Sequence, residues 1–283
     1  MGTSGITVTP VTGTLGADVR GVDLSRPLSN AEWDRIHRAF LDHHVLRFPD
    51  QVMDPSAQET FARRFGPLAP YPFGGGIPGH PDVLEIRKNP EDRRTFGNVW
   101  HSDTTYQDEP PLATMLLARE TPPTGGDTVF LNTHAAYEAL SPGLKRMLDG
   151  LRWISSAHKR YADGDALAAQ RAASTGVKLT ESAARLEAVH PVVRRHPETG
   201  RPGLYVNPAH TVRFEDWTDA ESAPVLEFLY RHMQRPEFEC RLGWREGTLV
   251  VWDNRSVQHY AVDDYAGHRR VMHRVTIAGD RPF

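Results

Sequence analysis

The sequence predicts a mixed α/β domain that is mainly β, a sandwich or barrel with helices packed on its outside. Short β-branched runs, each bounded by Pro or Gly, recur from about residue 82 onward. Two capped helical patterns precede these runs. Because no Pro/Gly/Ser-rich linker separates two compositions, we expect a single domain over residues 1–283.

Residues 1–80 are expected to form a layer of strands and helices. An alternating apolar run over residues 6–11 predicts a strand. Ser29, followed three residues later by Glu32, is a capping-box pattern that predicts the start of a helix. An Asp-Pro pair at 54–55 predicts the start of a second helix, which a Gly-Pro pair ends.

The β core is expected to follow. Its predicted strands lie at 83–86, 99–106, 114–117, 128–131, 189–193, 204–206, 238–242, 249–252 and 271–277. A helix starting at Ser141, with Leu144, Met147 and Leu148 facing inward, and another around 225–233 interrupt them. Residues 156–187 are rich in Ala and charged residues with little apolar periodicity, which favours an exposed insertion acting as a lid.

Composition excludes several classes of protein. The formal net charge is -3, with 33 Lys+Arg against 36 Asp+Glu and no basic run, so nucleic acid is not an expected partner. No apolar run approaches the roughly 20 residues of a membrane helix, and the first residues lack a signal-peptide pattern, so we expect a cytoplasmic protein without a membrane partner. One cysteine, Cys240, rules out an intrachain disulfide and leaves metal chemistry to histidine and carboxylate.

His101 and Asp103 are the first candidate metal ligands. In an extended segment their side chains project from one face, so both could contact one ion. The same spacing occurs at 80–82 and 196–198, but there proline separates the polar residues in turn-like contexts. The alternative for the pair is that Asp103 only orients a satisfied histidine.

His259 supplies a third candidate ligand in a strand-turn-strand context. Two histidines and one carboxylate form the facial triad of non-haem Fe(II) oxygenases, which leaves positions open for other ligands. Zinc can use the same residues. A zinc hydrolase would also need a general base, and the sequence contains no HExxH motif.

Arg270 and Arg274 lie four residues apart in an alternating run, which places both guanidinium groups on one face of a predicted strand. Buried cations need anions, and guanidinium suits bidentate carboxylate, sulfonate or phosphate binding. Asp263 and Asp264 are protein acids that could fill this role. A dicarboxylate cosubstrate explains the pair better, because it can chelate iron at one end and reach an arginine with the other.

Several motifs together resemble the taurine dioxygenase and 2,4-dichlorophenoxyacetate dioxygenase family of Fe(II)/2-oxoglutarate oxygenases, and the resemblance covers nearly the whole chain. They are WHSDTTY at 100–106, GGDTVF at 125–130, HPVVRRHPETG at 190–200, LYVNP at 204–208, WDNRSVQHYAVDDY at 252–265 and HRRVMHRVTIAGDRP at 268–282. The resemblance implies a distorted double-stranded β-helix, or jelly roll, with outer helices. It also implies Fe(II) as the cofactor with 2-oxoglutarate as cosubstrate and O2 as oxidant, and the release of succinate and CO2 as a small anionic substrate is hydroxylated.

The resemblance also assigns residues. It implies that His101, Asp103 and His259 bind iron, that Thr128 and Arg270 hold the distal carboxylate of 2-oxoglutarate, and that Arg274 binds the substrate's anionic group. Without it, Thr128 would be read as an ordinary strand threonine. The remaining candidate substrate contacts are Tyr71, Asn98, Thr104, Tyr161 and His210.

Departures from the family pattern make taurine itself a poor candidate substrate. The amine-contacting asparagine falls on Gly97, with Asn98 one place away, and His210 replaces an aromatic wall. Loss of polar contacts favours a larger or differently functionalised anion. Where the hydroxylated carbon carries a sulfonate, sulfate ester or aryloxy group, a C–S or C–O bond of the product would be cleaved.

Two alternative functions remain open. One is a natural-product tailoring oxygenase that hydroxylates, desaturates or cyclises an amino acid or larger anion, and the other is a noncatalytic metal- or anion-binding protein. Relatives suggest a homodimer or homotetramer.

Overall fold

The fold is taken from a computed structural model, which describes residues 5–72, 75–93, 95–161 and 186–283, without the side chains of Arg160 and Tyr161. Most of the expected lid at 156–187, and the side chain of Tyr161, therefore lie outside the described residues. In the described ranges no helix is long and apolar enough to cross a membrane.

Strands make up most of the regular structure. They are β1 (Thr7–Pro10), β2 (Ala17–Arg20), β3 (Val45–Phe48), β4 (Val83–Lys88), β5 (Ala113–Glu120), β6 (Thr128–Asn132), β7 (Arg152–Ser156), β8 (Glu187–Pro191), β9 (Val193–Arg195), β10 (Pro202–Leu204), β11 (Thr211–Phe214), β12 (Glu239–Leu242), β13 (Leu249–Asp253), β14 (Val257–Ala261) and β15 (Arg270–Ile277). The helices are α1 (Asn30–His43), α2 (Pro55–Ala62), α3 (Thr133–Glu138), α4 (Pro142–Leu148), α5 (His158–Tyr161) and α6 (Asp219–Met233). The expectation of a mainly β protein with a few helices is confirmed.

Two sheets position the candidate site. The larger has seven strands in the order β1-β2-β3-β13-β5-β15-β4, and a three-stranded sheet has the order β12-β6-β14. Their pairings are antiparallel, except that β2 and β3 run parallel. Smaller sheets, β11-β7-β8 and β10-β9, complete the described strands.

The large sheet is buried on both faces, which explains why β13 and β15 are buried along their whole length. On one face, Leu249 and Val251 pack in a cluster with α1 and α2. On the other, Val250 and Trp252 pack in a cluster with Phe130 of the smaller sheet. Alternation along β15 places Met272 in that second cluster. Arg270 and Arg274 have the same parity as Met272, so both face the space between the sheets.

The predicted helix starts are confirmed by their caps. Ser29 and Glu32 form the expected capping box at α1, Asp54 caps α2, and Ser141 caps α4. One detail of α4 was wrong: Met147 is 40% exposed rather than inward, whereas Leu148 is fully buried. A seven-residue helix buries only a narrow stripe, and here that stripe includes Leu148 and excludes Met147.

The expected strand at 99–106 was also wrong. The chain makes one isolated antiparallel bridge, between His101 and His259, and then turns. Ser102 donates its hydroxyl to the Val257 carbonyl at 2.8 Å. Thr104 has a positive φ of 42°, which a continuing strand does not adopt. The β-branched residues of this segment predicted a strand, but side-chain hydrogen bonds and the turn end its pairing after one residue.

His44, His134 and His190 are buried as neutral imidazoles. Burial lowers the pKa of His44 from 6.5 to about 3, and the pKa values of His134 and His190 to about 4. The unfolded chain therefore binds these protons at a higher pH than the folded chain does. Their contribution to stability is complete above pH 6.5 and is lost as the pH falls toward the folded pKa, at about 1.4 kcal/mol per pH unit for each histidine.

Replacing His134 by asparagine is expected to flatten this loss of stability in acid. Asparagine can still donate to the Pro202 carbonyl, which accepts from His134 Nδ1 at 2.8 Å, but it cannot take up a proton. The slope of unfolding free energy against pH between about 6.5 and 4.5 should fall by about 1.4 kcal/mol per unit. Urea titrations at several pH values measure this slope. His268→Asn, at an exposed histidine, should leave it unchanged, and equal effects of the two variants would contradict the account.

Candidate metal and cosubstrate site

The bridge between His101 and His259 places their two imidazoles side by side. His101 N–H donates to the His259 carbonyl at 3.2 Å, and His259 N–H donates back at 2.8 Å. The ring centroids are 4.1 Å apart. The turn that follows His101 brings Asp103 close to both rings, so the three predicted ligands meet through a bridge and a turn rather than along one strand.

His101, Asp103 and His259 form a compact buried cluster. Asp103 Oδ1 lies 3.8 Å from Nε2 of each histidine, and one ligand atom from each residue lies within 4.8 Å of the others. All three side chains are buried. His101 Nδ1 donates to the Val99 carbonyl at 2.7 Å, so the other ring nitrogen, Nε2, is the one that faces Asp103 and could bind a metal. Two imidazoles and one carboxylate suit non-haem Fe(II).

The protonation states of this cluster also suit a metal. Burial lowers the pKa of His259 well below its usual value, and the neighbouring His101 lowers it further. Burial alone would raise the pKa of Asp103, but Arg274 and the two histidines more than offset this and hold it well below its usual range. At neutral pH the cluster is therefore a carboxylate facing a neutral His259, so the metal would not have to displace a proton from either group.

Asp103 is supported through its other oxygen. Thr114 Oγ1 donates to Asp103 Oδ2 at 2.7 Å, Asn254 Nδ2 donates to Thr114 at 3.0 Å, and Trp252 Nε1 donates to Asn254 Oδ1 at 3.0 Å. This chain of hydrogen bonds from uncharged donors fixes the carboxylate so that Oδ1 faces the histidines. Our sequence analysis missed Thr114 and Asn254 as positioning residues; Asn254 lies in one of the quoted motifs, whereas nothing marks Thr114.

Replacing Thr114 by valine is expected to weaken metal binding by about 10–100-fold, because valine keeps the shape but removes the donor that orients Asp103. Thr114→Ser keeps the hydroxyl and should bind metal nearly as the wild type does. Titration with Mn(II), followed through the electron paramagnetic resonance signal of the free ion, measures both affinities. Equal affinities for the valine and serine variants would show that the hydroxyl does not position Asp103.

Arg270 and Thr128 meet at a second buried corner, organised by Trp244. Trp244 Nε1 donates to Thr128 Oγ1 at 3.0 Å, and the Arg270 guanidinium lies 5.5 Å from the Trp244 ring centroid. Because Thr128 Oγ1 accepts this bond, its own proton remains available to an incoming anion. Trp244 is a further residue that our sequence analysis missed.

The Arg270 guanidinium lacks a neutralising carboxylate among the described ion pairs. Burial lowers its pKa, and its Nε atom has no hydrogen-bond partner in the described part of the chain. Asp263 pairs with Lys88 at 3.2 Å, and Asp264 pairs with Arg241 at 3.2 Å. The two protein acids considered as partners of Arg270 are therefore engaged elsewhere, and this corner is suited to an external carboxylate.

Arg274 occupies a different position. Its Nη2 atom lies 3.0 Å from Asp103 Oδ1, its Nε donates to Thr276 Oγ1 at 3.3 Å, and its guanidinium lies 5.1 Å from the Tyr71 ring centroid. The side chain is 4% exposed. The predicted anion-binding arginine therefore lies at the candidate metal site, where it contacts one of the candidate ligands.

A small cavity brings most of the remaining candidates together. Tyr71, Thr104 and His210 line it with Arg274, and the complete lining is Tyr71, Phe96, Gly97, His101, Asp103, Thr104, Tyr106, His210 and Arg274. His210 Nδ1 lies 3.1 Å from Thr105 Oγ1. Asn98 is half-buried and is not part of this lining, in which Gly97 takes its place. Phe96 and Tyr106 are lining residues that our sequence analysis did not single out.

Comparisons with known proteins identify the family of the chain. Residues 7–276 match the family model described as the taurine catabolism dioxygenase TauD, TfdA family. The chain is 35% identical over 271 residues to an alkylsulfatase of Acinetobacter baylyi, covering 95% of this chain and 84% of the relative. It is 35% identical over 283 residues to an alpha-ketoglutarate-dependent sulfate ester dioxygenase of Pseudomonas putida, covering 97% and 90%. A crystal structure of a taurine dioxygenase from Burkholderia xenovorans superposes with a TM-score of 0.82 at 34% identity, covering 98% of this chain and 92% of that one.

The chain therefore belongs to the taurine catabolism dioxygenase TauD, TfdA family, and the resemblance inferred from its motifs is confirmed. It is an oxidoreductase, a dioxygenase that depends on Fe(II), 2-oxoglutarate (alpha-ketoglutarate) and O2. The particular roles of the site residues remain predictions.

Proposed function

We propose that this enzyme hydroxylates a small anionic organic molecule, with a sulfate ester or alkyl sulfonate as the favoured substrate class. The observation that carries the proposal is the buried cluster of His101, Asp103 and His259 with Arg274 at its edge. This arrangement offers candidate metal ligands and an anion-binding group beside one another. The names of the two enzymes described above, an alkylsulfatase and a sulfate ester dioxygenase, support the same substrate class.

Each residue has a defined task in this proposal. His101, Asp103 and His259 hold Fe(II), while Arg270 and the Thr128 hydroxyl bind the distal carboxylate of 2-oxoglutarate. When bound, iron with 2-oxoglutarate and O2 supplies the oxidation that places a hydroxyl group on the substrate and releases succinate and CO2. Arg274 binds the anionic group of the substrate and so fixes which carbon lies next to the metal.

The fate of the hydroxylated product depends on the atom beside the new hydroxyl. A primary alkyl sulfate, RCH2–OSO3⁻, becomes RCH(OH)–OSO3⁻, whose C–O bond then breaks to give the aldehyde RCHO and hydrogen sulfate. A sulfonate hydroxylated next to sulfur loses sulfite in the same way. We propose that taurine is a poor substrate, because Gly97 lines the cavity where an asparagine would contact its amine.

We infer further that the core is a distorted double-stranded β-helix in one domain over residues 1–283. The large sheet and the β12-β6-β14 sheet enclose one apolar cluster and the site residues, as such a core requires. A lid at 156–187 and a cytoplasmic location remain proposals from the sequence composition. Tyr161 near the substrate and a homodimer or homotetramer remain proposals from the family resemblance.

A succinate assay tests the proposed function. The purified enzyme would be incubated in air with Fe(II), 2-oxoglutarate and one member of a panel comprising alkyl sulfates, alkyl sulfonates, aryloxy acids, amino acids and taurine. We expect succinate, inorganic sulfate and aldehyde in equal amounts with an alkyl sulfate, and little turnover of taurine. Turnover restricted to amino acids would instead favour the tailoring oxygenase, and absence of succinate with every compound would contradict the proposal.

A further inference from the structure

The two oxygens of Asp103 are held by groups of different charge. Oδ2 accepts from the neutral Thr114 hydroxyl at 2.7 Å. Oδ1, the oxygen 3.8 Å from both imidazole Nε2 atoms, lies 3.0 Å from the Arg274 guanidinium. The oxygen that the geometry offers to a metal is therefore the one already paired with a cation.

This pairing places a fixed positive charge beside the metal position. Both partners are buried, with side-chain exposures of 4% for Arg274 and 3% for Asp103, so water screens their interaction weakly. A divalent cation at Oδ1 would be repelled by the guanidinium and would compete with it for the oxygen's electron density. Oδ2 is held separately by the Thr114 hydroxyl, which accepts from Asn254 Nδ2 at 3.0 Å and which Arg274 Nη2 contacts only at 3.5 Å.

We propose that Arg274 is a positioning residue that couples metal binding to binding of the substrate's anionic group. Without an anion, Arg274 pairs with Asp103 Oδ1 and weakens the metal site. An anion bound to Arg274 neutralises the guanidinium or draws it away, which releases Oδ1 to the metal. By thermodynamic reciprocity, the metal strengthens anion binding by the same factor, which for such coupling is typically about 5–150-fold. The inference rests on the proposed function in taking Arg274 as the anion-binding residue.

Arg270 provides a matched comparison within the same strand. It is the same residue type on the same face of β15, four residues away, and it is also buried. Its neighbours are Trp244 and Tyr265 rather than Asp103, whereas Arg274 is the cation beside Asp103. Removing either arginine deletes one buried positive charge, but only Arg274 should alter the metal site directly.

Mn(II) titration without 2-oxoglutarate tests the coupling, with the free ion followed by electron paramagnetic resonance. In the wild type, saturating hexyl sulfate should raise the Mn(II) affinity by about 5–150-fold. Arg274→Met should bind Mn(II) more tightly than the wild type without any anion, and hexyl sulfate should no longer change its affinity. Arg270→Met should keep the wild-type response to hexyl sulfate.

Unfolding temperatures provide a second readout if Arg274→Met is unstable, since it leaves a buried carboxylate without its cation. Arg274→Gln removes the charge but keeps a donor, and Mn(II) should raise its unfolding temperature by more than that of the wild type. Mn(II) affinity equal to or below the wild-type value in both Arg274 variants would overturn the inference. Tighter Mn(II) binding in those variants would support it even if the succinate assay showed no turnover of sulfate esters, so the two proposals fail separately.

Discussion

Replacing Asp103 by alanine is expected to abolish metal-dependent turnover while the protein remains folded. Asp103 Oδ1 lies 3.8 Å from Nε2 of both histidines, and two neutral imidazoles alone supply no anionic ligand to Fe(II). Loss of a ligand should exceed the roughly 10–100-fold cost of losing a supporting partner. Substrate-dependent succinate formation measures turnover, and Mn(II) titration measures metal affinity.

The control for this prediction is Asp108→Ala. Asp108 lies close in sequence but is exposed and pairs only loosely with Arg281, at 3.7 Å, so its loss should leave turnover and metal affinity near wild-type values. Circular dichroism would show whether both variants are folded. Turnover by a folded Asp103→Ala variant at the wild-type rate would show that Asp103 is not a metal ligand.

Replacing Arg270 by alanine is expected to raise the apparent KM for 2-oxoglutarate. The KM for the prime substrate should not rise to the same extent. The Arg270 guanidinium is buried without a carboxylate partner among the described ion pairs, so it is available to a dicarboxylate. Truncating one partner of a buried charged hydrogen-bonded pair costs on the order of 2–5 kcal/mol, which is about 30-fold or more in affinity. The apparent KM for 2-oxoglutarate at saturating substrate measures the loss.

Arg274→Ala is the complementary variant. It should mainly raise the KM for the prime substrate, because Arg274 lies in the cavity with Tyr71 and Thr104. Both variants lose an arginine side chain from the same strand face. If one raises the KM for 2-oxoglutarate and the other the KM for the prime substrate, the difference arises from the position of the arginine and not from the loss of a positive charge. If both raised only the KM for 2-oxoglutarate, the division of roles between the arginines would be wrong.

The sequence predicted those parts of the fold that local patterns control. Capping at Ser29, Asp54 and Ser141 depends on residues within one turn of helix, and all three helix starts are confirmed. The alternation in the last strand likewise predicted that Arg270 and Arg274 share a face. At residues 99–106 the local pattern was misleading, because Ser102 and the turn at Thr104 end the pairing.

The parts that could not be predicted depend on strand order. Thr114 reaches Asp103 because β5 lies between β13 and β15, which places Thr114 opposite both Trp252 and Thr276. Trp244 reaches Thr128 through a loop after β12. The strand pairings of Thr114 and the contact between Trp244 and Thr128 join residues more than a hundred positions apart, and no single-sequence pattern encodes them. The resemblance predicted the ligands that carry chemistry but not the side chains that orient them.

A crystal structure with Mn(II) and the unreactive 2-oxoglutarate analogue N-oxalylglycine tests the central claim most directly. Anomalous scattering at the manganese edge locates the ion without reference to any assumed site. We expect one peak within bonding distance of His101 Nε2, Asp103 Oδ1 and His259 Nε2, with the distal carboxylate of the analogue on Arg270 and Thr128. A peak elsewhere, or a fourth protein ligand in the position of the analogue, would contradict the assignment.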